Sequence, residues 1–203
     1  MGVVKLSTAG IVNYEKYSNL RAGIPVPATG SFDLLETQVL ASAAASVTFS
    51  SLGDYAAEYQ HLQLRMAVRS TRSDANNDQI NLELNGVTGA NYSRHELTGD
   101  GSSLTSSAAT TASGSAMMRF REIETAQGTA NVFNAIVCDI LDPFNSSKNT
   151  TIRALNGTAS RSRIMLISGA WYNTASLTQI TLRPIASIAQ NSRISLYGLK
   201  VSA

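Results

Sequence analysis

The sequence has a single cysteine, Cys138, so no internal disulfide can staple it. That cysteine lies within the apolar run FNAIVCDIL, where a small buried hydrophobe is expected. Charged residues make up only 15% of the chain and balance to a formal +2. No block of lysine and arginine matches a phosphate backbone, so a nucleic-acid partner is not expected. Continuous apolar stretches of transmembrane length are missing, and the N-terminus has no apolar signal-peptide core ahead of a cleavage site. Neither membrane insertion nor secretion is therefore expected. The sequons beginning at Asn91, Asn145, Asn149 and Asn156 read as products of an Asn/Ser/Thr-rich composition.

Catalytic and metal-binding patterns are equally sparse. The two histidines, His61 and His95, fall in separate segments and head neither a metal-ligand spacing nor a triad. Asp74, Asn76 and Asp78 have the one-three-five spacing that begins a calcium loop. Gln79 replaces its glycine, however, and Asn85 its closing glutamate. Asp139 and Asp142 form a carboxylate pair of the sort used in glycoside hydrolysis, but the single tryptophan, Trp171, offers little for sugar stacking. The glycines are scattered turn residues, without a phosphate-cradling motif. No enzyme activity, cofactor, catalytic residue or metal site is expected.

What the chain does have is alternation. In HLQLRMAVR, Leu62, Leu64, Met66 and Val68 share one face of a half-buried strand. In QINLELNG, Ile80, Leu82 and Leu84 do the same before Asn85-Gly86, a pair suited to the positive φ of a tight turn. FNAIVCDIL is apolar on both faces and is expected at the centre of a sheet; TQITLRP closes on Pro184, which suits a strand end or edge. About eleven short strands and no convincing long helix predict an all-β fold. The expected form is an antiparallel two-sheet sandwich of jelly-roll type, with an extended N-terminal arm over residues 1–31 and the sandwich over 32–203.

Three segments invite a contact role. In the arm, YEKYSNLRAG can form one or two helical turns presenting Tyr14, Tyr17 and Leu20, with Arg21 beside them, before the stiff linker GIPVPATG. So short an amphipathic piece needs a surface on which to bury its aromatics. The Ser/Thr/Ala-rich residues 98–116 predict a long exposed loop. In SRSRIM, Arg161 and Arg163 lie two apart and predict a charged strand edge or a partner contact. Trp171, Tyr172 and Tyr92 are a candidate stacking surface for a carbohydrate, with core packing as the plainer role.

The phrases ASVTFSSL, YQHLQLRMAVRS, LNGVTGANYSRHELTGDG, SGAWYNTASLTQITL and SRISLYGLKV run in order over most of residues 34–201. Together with the opening KLSTAGIVNYEKYSNLRAG, they resemble a structural protein family of tailed bacteriophages, especially aquatic phages and cyanophages. Members of that family are recorded as virion, tail-fibre, decoration or hypothetical structural proteins. The resemblance implies a place in the virion, synthesis in the host bacterial cytoplasm, and no catalytic residues. Lack of a coiled-coil or repeat shaft and low charge make a capsid cement or decoration protein the leading expectation. Its partner would be the major capsid protein, and it would form a homo-oligomer, expected as a trimer. The alternatives are a tail-fibre or baseplate appendage docked on a tail protein and, behind it, a carbohydrate-binding module.

Overall fold

A computed structural model describes residues 32–110, 118–158 and 160–200. Tyr14, Tyr17, Leu20 and Arg21, and with them the expected arm, lie outside the described residues.

Twelve strands follow one another among the described residues. They are β1 (Phe32–Val39), β2 (Val47–Phe49), β3 (His61–Val68), β4 (Asp78–Leu84), β5 (Tyr92–Gly99) and β6 (Leu104–Ala109). Then come β7 (Met118–Ile123), β8 (Asn134–Leu141), β9 (Thr150–Thr158), β10 (Arg163–Trp171), β11 (Ile180–Pro184) and β12 (Arg193–Leu199). The only helical element among the described residues is a 3-10 turn over Leu52–Tyr55.

The strands form two antiparallel sheets, one of eight in the order β1-β12-β3-β8-β9-β10-β5-β6 and one of four in the order β2-β11-β4-β7. The chain is a two-sheet all-β sandwich. β8 is an interior strand of the large sheet, as its two apolar faces predict, and β11 ends at Pro184.

The core lies where the alternating faces meet. Leu62, Leu64 and Met66 of β3, Ile136, Cys138 and Ile140 of β8, and Ile194 and Leu196 of β12 face Ile80, Leu82, Phe120 and Leu182 of the small sheet. Burial pushes the Cys138 thiol well above its ordinary range, so it acts as a packed hydrophobe and not as a nucleophile.

One expectation is corrected. The stretch 98–116 is not simply a loop, because Leu104–Ala109 pairs with β5 as a strand whose side chains are almost all exposed. Asn85 and Gly86 do adopt positive φ, 52° and 68°, and close a tight turn. Only the Leu84–Val87 bridge follows, however, before the chain crosses to the other sheet as β5. Tyr92 locks that crossing: its hydroxyl accepts from the Leu84 N–H at 2.9 Å and donates to the Val87 carbonyl at 3.0 Å. Burial pushes its pKa up to about 12.

Gly198 of β12 pairs with Asp33 and Leu62 of its two neighbouring strands. It also lies against the Tyr59 ring, where an added Cβ would come within 2.3 Å of a ring carbon.

Candidate functional site

Of the residues singled out for chemistry, His61 and Asp142 meet, with Nδ1 and Oδ1 3.5 Å apart, while Asp139 and Asp142 each hold cations and amides of their own. His61 Nδ1 accepts the Asp142 backbone N–H at 3.0 Å, whereas His95 stands exposed on β5. Asp142 is engaged by Lys148 at 2.6 Å and by Gln60 at 2.9 Å. Asp139 instead holds Arg153 at 2.8 Å and Gln63 at 2.7 Å. In the calcium-like segment Asp74 pairs with Arg72, while the buried Asp78 accepts from Ser70 Oγ and from the backbone N–H groups of Gln79, Ile185 and Ala186. No cluster of three or more metal-ligating side chains occurs among the described residues. Trp171 and Tyr92 are fully buried, which leaves Tyr172 as the exposed member of the proposed stacking surface. Among the described residues no helix is long and apolar enough to cross a membrane.

Arg161 and Arg163 also turn inward. Arg161 lies in the β9–β10 turn, and Arg163 opens β10, which is flanked by β9 and β5 and is therefore not an edge. Both guanidinium groups reach the buried Glu122, at 3.1 and 3.5 Å, in a mainly coulombic contact.

The need for that contact arises from a bulge. On β4 Asp78 and Ile80 are two residues apart, yet their partners on β7, Ile123 and Phe120, are three apart. Glu122 has φ of 57°. The extra residue takes carbonyls out of the ladder, and two buried asparagines supply donors. Asn156 Nδ2 donates to the Arg121 carbonyl, and Asn134 Nδ2 donates to that of Glu122 at 2.9 Å while its Oδ1 accepts the Glu124 N–H. Asn156 is thus a structural residue, and its sequon is out of reach of any modifying enzyme in the folded chain.

A second charged cluster joins the sheets between β5 and β7. The buried Glu96 carboxylate contacts Arg94 Nε at 2.8 Å, Arg119 Nε at 3.2 Å and Arg121 Nη1 at 3.5 Å, and accepts from Ser107 Oγ at 3.2 Å. Burial alone would raise its pKa, but the pull of Arg119 and Arg94 outweighs it and leaves the carboxyl below its ordinary value. Because the folded-state value is depressed, the stabilisation is fully present above the ordinary glutamate pKa and is lost as pH falls through the lower, folded value. Melting curves between pH 6 and pH 2 should therefore show a shallower acid loss in Glu96→Gln, set on a lower plateau at neutral pH. Parallel curves for wild type and variant would rule this account out.

The remaining feature belongs to the outer face of the large sheet, the side away from the core. The cross-strand register places Arg65, Val137, Leu155, Leu166, Leu97 and Ser106 in one row across β3, β8, β9, β10, β5 and β6. The neighbouring row carries Ala135, Gly157, Ile164, Gly99 and Leu104. Val137, Leu155, Leu166, Leu97, Ile164 and Leu104 are between 40% and 69% exposed. On the other flank stand Asp139, Arg153, Ser168 and His95. Six large apolar side chains in two adjacent cross-strand rows of one sheet face form a patch rather than scattered exposures.

No protein-family model matches this chain, and no curated protein does. The function is therefore argued from the arrangement itself. Sequence reasoning missed this surface, although RIMLIS, with four consecutive apolar residues on β10, carried its signal: both faces of that strand are apolar while only one meets the core.

Proposed function

We propose that the chain is a virion structural protein of a tailed bacteriophage, a capsid cement or decoration protein that works by protein–protein contact. The observation that carries this reading is the contiguous apolar row on the outer face of the eight-stranded sheet, a surface built for a macromolecular neighbour. Low overall charge suits large contacts of this kind, and the ordered sequence phrases that resemble phage structural proteins supply the setting. The chain stiffens the shell by adding buried interface around the major capsid protein, and several copies acting together compensate for modest single contacts. Residues 1–31, with Tyr14, Tyr17, Leu20 and Arg21, form the fastening arm. As a tail or baseplate appendage the same chain would use its arm as an adaptor, at far lower copy number.

Quantitative mass spectrometry of purified particles tests this. A copy number that follows the capsid lattice, with earlier heat disassembly when residues 1–30 are deleted, is the expected result. A handful of copies per particle would transfer the protein to the tail, and unchanged shell stability after the deletion would overturn the cement mechanism.

A further inference from the structure

The outer apolar face has relief as well as chemistry. Ile164 stands between Gly157 and Gly99 in its row, with Leu104 beyond Gly99. An added Cβ at Gly157 would meet nothing within 4 Å, so the glycine leaves an open hollow beside a branched side chain. In the next row Val137, Leu155, Leu166 and Leu97 form a continuous ridge. One face thus carries both ridges and hollows, as a surface that meets its own copy across a two-fold axis requires.

We infer that the occupant of this face is a second copy of the same chain, packed sheet against sheet about a two-fold axis. The inference rests on the proposed function and assigns this face to the contact between copies, leaving the arm over residues 1–31 for the capsid, and it differs from the trimer expected from sequence.

Area and charge favour this occupant. The six exposed apolar side chains offer on the order of 500 Å². A stable interface buries about 800 Å² per partner, of which about two-thirds is apolar where identical chains meet. The patch supplies that apolar share by itself. Its rim holds Arg65, Arg153 and Asp139, both signs together and in no excess large enough to select a strongly charged partner. A face of mixed sign tolerates its own copy, whereas a strongly cationic or anionic one would repel it.

Sedimentation equilibrium of the full chain over micromolar concentrations decides the matter. Wild type should sediment at twice the 21.5 kDa chain mass. Leu155→Asp combined with Leu166→Asp should weaken association by more than about 100-fold, because the two lie at the centre of the ridge. Circular dichroism checks the fold of that variant; if it is disturbed, the paired threonine substitutions replace it, with at least about tenfold weakening expected. Wild type at the single-chain mass throughout would overturn the inference and leave the virion reading to the particle copy number. A trimer mass would also overturn it, as would a dimer that survives the substitutions.

Discussion

Replacing Arg69 with methionine is expected to cost about 3–5 kcal/mol of stability, among the largest losses available to a single substitution here. The buried Arg69 guanidinium donates to the carbonyls of Thr125, Gly128, Thr129 and Val132 at distances between 2.5 and 3.2 Å. Within the connection between β7 and β8 the Thr125 and Thr129 carbonyls also accept the Gly128 and Val132 N–H groups, at 3.1 and 3.4 Å, and the one guanidinium gathers all four acceptors. Methionine keeps the apolar stem but supplies no donor, so four carbonyls lose a charge-assisted partner at once. Lysine keeps the charge but concentrates its donors on one nitrogen, and should recover only part of the loss. Urea unfolding should show the drop, and limited proteolysis should cut within 125–132 sooner in the methionine variant. A cut elsewhere, or stability within about 1 kcal/mol of wild type, would show that the carbonyls find other donors.

Trp171→Ala should cost a similar amount, about 3–5 kcal/mol, through the cavity it opens. Trp171 closes β10 with no exposed surface, opposite Tyr92 on one side and Thr150 on the other. Its indole N–H meets no acceptor, so the residue contributes through shape and apolar area alone. Trp171→Phe removes no hydrogen bond and should therefore lose well under half as much. Denaturation followed by circular dichroism is the suitable measurement, because removing the sole tryptophan also removes the tryptophan fluorescence signal. Equal losses for phenylalanine and alanine would mean that the indole N–H matters after all, through a bound water.

The fold was legible wherever one face of a strand meets the core and the other does not. β3 is the clearest case, since Leu62, Leu64, Met66 and Val68 are buried in strict alternation. β6 was illegible for the opposite reason: its side chains are nearly all exposed, and backbone pairing with β5 places it without any apolar periodicity. Buried polar residues were hidden more deeply. Asn134, Asn156 and Arg69 answer backbone groups freed by a bulge and by a connection, and such demand exists only after the chain is folded. The exposed apolar face lay between these cases. Val137 was correctly read as part of a strand apolar on both faces, but the inference stopped at central placement. The second apolar face is in fact the exposed one.

The sheet order carries a consequence in time. β12, at residues 193–199, lies between β1 and β3, with Phe32 opposite Leu199 on one side and His61 opposite Leu199 on the other. On a ribosome the strand that must separate those two emerges after every other strand in the sheet. Until it arrives, β1 has no neighbour in the sheet and β3 has only β8. Native closure therefore waits for the distal strand, through pairings of high sequence separation that form slowly. Synthesis halted before residue 193 should yield a nascent chain bound by chaperones, released only once the strand that joins β1 to β3 has been made.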